Sequence, residues 1–178
     1  MKKATLLLVA FAVAAPLCAQ GMMPAAGPDA VATMRGNFNA VRGYIIRSAA
    51  EMPEADYAFK PTPEVRSFGQ IIGHLADANY AFCSMVLGKK SPSKGVEKTM
   101  TSKADLQSAL KASYDYCAAA FAMPDTAMAK KVTLFGHENT RLGVLLLNVT
   151  HNWEHYGNLV TYLRIKGFVP PSSQPAKK

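Results

Sequence analysis

The chain has 178 residues, 49% of them hydrophobic and 18% charged, with a formal charge of +8 and four histidines. That is enough for one domain with a real core. The charge does not mark a nucleic-acid binder, because the basic residues are scattered: Lys89, Lys90, Lys94 and Lys98 sit in a connection, and Lys177 and Lys178 in a tail, with no Arg-rich helix face.

Residues 1–19 read as a secretory signal peptide. Lys2 and Lys3 form a basic start, an apolar run follows to Ala15, and the small Ala19 precedes the cleavage point. The apolar run is too short for a permanent membrane helix, and no second run reaches membrane-spanning length. The expected product is a secreted, periplasmic protein of about 159 residues carrying a charge of +6. Residues 20–27 read as a flexible leader, 28–168 as the folded domain and 169–178 as a Pro/Ser/Lys tail.

Within the domain, Pro28 and Asp29 suit a first helical turn. Val31, Met34, Phe38, Val41 and Ile45 then mark an amphipathic helix ending near Met52 and Pro53. The proline-rich PEADYAFKPTPEVRS is a connection. Ser67 and Gln70 have the capping-box spacing, opening a second helix with Phe68, Ile71, Leu75, Phe82 and Met85 on one face and Gly88 at its end. Residues 89–102 read as a polar loop. Ser102 and Asp105 begin a third helix, whose face carries Leu106, Leu110, Tyr114, Cys117 and Phe121. KKVTLFGHENT reads as a turn region with room for one short extended piece. A fourth helix capped by Asn139 or Thr140 shows Leu142, Leu145, Val149, Trp153, Tyr156, Val160 and Leu163, and ends at Gly167. No strand pair competes with these elements, so the fold class is all-α, a four-helix bundle.

Chemistry is concentrated in the histidines. His151 and His155 lie four residues apart on the fourth helix, so their rings can converge on one ion or simply lie on its polar flank. His74 borders the buried stripe of the second helix. Together they form a candidate three-histidine site for a divalent metal, zinc or nickel suiting nitrogen ligands, with one coordination position open. His151–Asn152–Trp153–Glu154–His155 also matches the H-x-x-E-H of inverted zinc peptidases. No Asp or Glu follows His155, however, so the downstream carboxylate that such a site needs is missing.

YAFKPTPEVRSFGQIIGHLADANYAF and LLLNVTHNWEHYGNLVTYLRIKGFVPPSS together resemble the DinB-like, damage-inducible superfamily of metal-binding bundles. The resemblance implies up-down-down-up topology and a metal held by His74, His151 and His155. Related members include thiol S-transferases and a maleylpyruvate isomerase. Commoner members carry H-R-G-Q where this chain has His155-Tyr156-Gly157-Asn158, and most are cytoplasmic. Export argues against chemistry that uses a cytoplasmic thiol. With the second and third helices parallel, as that topology implies, Cys83 and Cys117 stand at the same level and are expected to pair in an oxidising compartment.

Other residues have two readings each. Asp77, one turn after His74, either orients that ring or is solvated. Glu154 is a general base or a surface carboxylate. His137 and Glu138 either close over the site or are exposed, and Tyr80, Trp153 and Tyr156 belong to the core more naturally than to a substrate platform. The expected function is a metal-dependent hydrolase or transferase acting on a small molecule, the alternative being a non-catalytic metal- or ligand-binding domain. An exposed helix face leaves a homodimer open.

Overall fold

The computed structural model describes residues 29–175, so the expected signal peptide and leader lie outside the described residues. Four long helices carry the fold: α1 (Ala30–Glu51), α2 (Phe68–Leu87), α4 (Lys103–Phe121) and α5 (Arg141–Ile165). The connection before α4 holds a single-turn helix, α3 (Val96–Thr99), where the sequence reads as polar loop. Asp29 also differs from expectation. It stands outside α1 as its N-cap, with Oδ1 accepting the Val31 N–H at 2.6 Å. The other caps follow the sequence: Ser67 and Gln70 form a complete capping box, Ser102 accepts from the Asp105 N–H, and Gly88 ends α2 in the left-handed conformation.

Cross-helix contacts give the directions. Tyr44 stacks on Tyr156, and Arg47 reaches the Pro171 carbonyl just beyond α5, so α1 and α5 run parallel. Phe38 near the start of α1 stacks on Phe121 at the end of α4, while Lys103 at the start of α4 donates to the Met52 carbonyl; these two helices are antiparallel. Phe68 meets Tyr162, and Asn79 meets Asn148, so α2 and α5 are antiparallel. The topology is up-down-down-up. Parallel α2 and α4 place Cys83 and Cys117 side by side, with Cα atoms 5.3 Å apart, and the two are joined as a disulfide.

The region expected to hold one short extended piece is a hairpin of two antiparallel strands, β1 (Lys131–Leu134) and β2 (His137–Thr140). Its two-residue turn, Phe135-Gly136, has positive φ at both positions, the geometry whose twist suits a tight hairpin. Phe135 is 71% exposed, yet its ring meets Phe82 of α2 edge-on.

The core is not wholly apolar. Asn79, Ser113, Asn148 and Asn152 are buried with no more than traces of exposure and form one network. Asn79 Oδ1 accepts from Asn148 and Asn152 at 2.9 and 3.0 Å, its own Nδ2 donates to Ser113, and the buried Tyr114 hydroxyl donates to Asn152 Oδ1 at 2.6 Å. This polar layer ties α2, α4 and α5 at one register, since a slip would leave several buried donors unpaired.

Residues beyond α5 are held against the bundle. Pro171 is buried in a 3-10 turn (Pro171–Ser173), the Ser172 N–H donates to Tyr156 at 2.9 Å, and Gln174 donates to Glu51 at 2.9 Å. The bridge closes a 34-residue segment, so Cys83→Ala/Cys117→Ala should lower unfolding free energy by about 2–4 kcal/mol. Urea unfolding of the variant beside the oxidised parent checks this.

Candidate metal centre

His74 lies on α2, and His151 and His155 lie one turn apart on α5. Because these helices pack antiparallel, the three rings meet between them. His151 Nε2 stands 3.1 Å from His74 Nε2 and 3.2 Å from His155 Nε2, and the three candidate ligand atoms all fall within 4.8 Å of one another. Three nitrogens bound tetrahedrally to one zinc at about 2.0–2.1 Å would stand about 3.3 Å apart. His155 is buried, and the other two are half-buried.

The chemistry of the donors fits a cation. His74 Nδ1 is 3.0 Å from Glu97 Oε2; a carboxylate only accepts, so Nδ1 carries a proton, and the tautomer this contact selects is the one with its lone pair inward at Nε2. Burial, followed by the neighbouring His74, holds the His151 pKa below the usual range. Burial, then His151 and His74, pushes that of His155 down to about 4. Both rings are therefore neutral near pH 7. A proton on His151 Nε2 can serve only one of its two nitrogen neighbours, whereas a single divalent ion satisfies all three. The group could hold a metal ion.

The sequence places the three histidines on the two helices that carry them but misreads what surrounds them. α5 buries a broader face than its apolar stripe suggests, taking in Asn148, Asn152, His155, Leu159 and Tyr162. His155 consequently sits inside the bundle rather than on its flank. Asp77 does not touch His74. Its carboxylate instead accepts the backbone N–H groups of Val96 and Glu97, both at 2.9 Å, and the Ser93 hydroxyl, which anchors α3 over α2. The carboxylate on His74 is Glu97, which sequence reasoning missed. Glu97 also accepts from Arg66 Nε at 2.8 Å. Burial raises the Glu97 pKa, but the hydrogen bonds from Arg66 and His74 outweigh it and leave the group below its ordinary value.

The remaining partners are weaker. The Asn158 side-chain amide lies 3.3 Å from His155 Nδ1, where its oxygen can accept the ring proton if the amide is turned end for end. His151 Nδ1 is buried without a hydrogen-bond partner, and its ring packs edge-on against Phe82. His137 and Glu138 are exposed on β2; Glu138 pairs with Lys131, and neither residue joins the histidine group. Tyr156 is a core residue, while Trp153 and Tyr80 are partly buried against aromatic neighbours.

A cleft of about 610 Å³ lies beside His155 and is lined by Glu64, Arg66, Glu97, Glu154, Asn158 and Tyr162, among others. It sets charged and amide side chains next to the His155 imidazole, an arrangement suited to a small polar molecule. Among the described residues, no helix is long and apolar enough to cross a membrane.

Fold and site together define an all-α bundle with a histidine group shared between two antiparallel helices. The sequence pattern described as the DinB superfamily matches residues 37–159, and the chain belongs to that family. Solved structures of the same fold include a DinB-like protein from Bacillus subtilis (20% identity, TM-score 0.66, covering 82% of this chain and 99% of that one). A DinB-like protein from Bacillus cereus gives 13% identity, a TM-score of 0.67 and coverage of 78% and 93%. A conserved protein from Enterococcus faecalis gives 13%, 0.64, and 78% and 98%. At these identities the likeness speaks for the fold alone. A search of curated proteins finds no match.

Gly73, which precedes His74, is where α3 meets α2: a Cβ there would fall 2.7 Å from Glu97 Cα and 2.9 Å from its nitrogen. Gly73→Ala should therefore push the α3 backbone outward and cost about 1–3 kcal/mol, read by thermal unfolding, with faster amide exchange at Val96 and Glu97.

Proposed function

We propose that this chain is an exported DinB-family protein that binds one divalent metal ion, zinc or nickel, through His74, His151 and His155. The observation that carries the reading is the convergence of three Nε2 atoms from two antiparallel helices. Three neutral imidazoles suit a borderline divalent ion better than calcium or magnesium, which take oxygen ligands. The N-terminal pattern and the Cys83–Cys117 bridge both support an oxidising compartment outside the cytoplasm.

Held by His74, His151 and His155, such an ion would supply Lewis-acid chemistry, the activation of water or the polarisation of a carbonyl group. The chain's own residues suggest hydrolysis or group transfer on a small polar molecule. In the cleft, Arg66 and Asn158 can orient an anionic or carbonyl group, and Glu154 and Glu64 offer carboxylates for proton transfer. Glu154 is exposed and makes no hydrogen bond or ion pair among the described residues, so it is free to face a ligand.

Metal analysis of protein purified without an affinity tag tests the reading, beside His74→Ala/His151→Ala. The parent should hold about one ion per chain and the variant almost none. Equal content in the two would defeat the metal reading. Stripping the ion with a chelator should lower the melting temperature of the parent and leave that of the variant unchanged.

A further inference from the structure

We propose that Glu97 is a positioning residue that sets how tightly the three-histidine site holds its ion, and that Asp77 acts on the site through Glu97. The inference rests on the metal reading of His74, His151 and His155 and adds the residues that tune it.

The three histidines are unequally supported. His151 Nδ1 has no partner, and His155 Nδ1 meets only the neutral amide of Asn158. His74 alone has a carboxylate on its outer nitrogen, at 3.0 Å. That contact fixes the tautomer with Nε2 free, fixes the ring's orientation and makes the ring a stronger donor to a cation. Glu97 is the one charged group among the described residues that hydrogen-bonds any of these rings.

Glu97 is itself held from three directions. Arg66 Nε fixes Oε1, leaving Oε2 for His74. Asp77 grips the backbone N–H groups of Val96 and Glu97 with its two oxygens and takes the Ser93 hydroxyl as well. The missing side chain at Gly73 lets this turn lie on α2. A four-residue helix cannot hold its own shape in water, so its position depends on these contacts. The Arg66–Glu97 pair is partly solvated, and such a pair adds little to folding stability. What the assembly achieves is a carboxylate held at a set distance from one ligand.

The test compares the parent with Glu97→Gln, Glu97→Ala and Asp77→Asn. Zinc affinity is measured by competition with a chromophoric chelator, and the tautomer of His74 in metal-free protein by nitrogen-15 NMR. Glu97→Ala should weaken zinc binding about 10–100-fold and release His74 into a tautomer mixture. Glu97→Gln keeps a neutral acceptor and should fall between Ala and the parent. Asp77→Asn should reproduce the affinity loss with Glu97 still present, because one amide N–H would then face an NH₂ group. Metal-free melting temperatures for the two Glu97 variants should stay within a few degrees of the parent, which separates positioning from folding. Parent-like affinity and tautomer in Glu97→Ala would overturn the proposal, and parent-like behaviour of Asp77→Asn would remove Asp77 from it. If the parent itself binds no zinc, the metal reading fails, while the metal-free NMR measurement still decides whether Glu97 positions His74.

Discussion

Three imidazole nitrogens facing one another at 3.1 and 3.2 Å are the contact around which the α2–α5 seam is arranged. Neutral rings cannot all be satisfied at that spacing by sharing protons, because each Nε2 either donates once or offers a lone pair. Protonating the rings is no better, since burial and the adjacent rings both oppose charge on His151 and His155. A divalent cation would remove the conflict. It would also link α2 and α5 at the level of the histidines, beside the asparagine layer that joins them deeper in the bundle.

The scaffold holds this seam by different means at its two ends. Deeper in the bundle, the Asn79 network and the Cys83–Cys117 bridge fix the register of α2 against α4 and α5. Toward the N-terminal end of α2, a short turn of helix is pinned by Asp77 and brings Glu97 between Arg66 and His74. The cleft opens at this second end, where Arg66 and Glu97 form part of its lining beside His155. Rigid support and ligand access therefore sit at different levels of the same two helices.

The long helices were legible because their apolar residues recur at helical spacing and their ends carry specific chemistry, as at Ser67 with Gln70 and Ser102 with Asp105. The three histidines were legible as a set because two share a helix turn and the third lies on the partner helix. The disulfide was legible only once the resemblance supplied parallel α2 and α4. Glu97 was not, because it lies 23 residues from His74 in a loop rich in Lys, Ser and Pro, and its role is a tertiary contact without local periodicity. Gly73 and Asp77 carried the available hint: a glycine beside a candidate ligand permits close backbone approach, and a carboxylate one turn later can cap a neighbouring turn. The burial of Asn148 and Asn152 was not legible either, because the partners that allow it come from other helices: Asn79 Oδ1 accepts from both side chains, and the Tyr114 hydroxyl donates to Asn152.

X-ray absorption at the edge of the bound metal tests the central claim most directly. The account predicts three imidazole nitrogens at about 2.0–2.1 Å and no sulfur in the first shell. Fewer than three imidazoles, or a sulfur scatterer at about 2.3 Å, would contradict it.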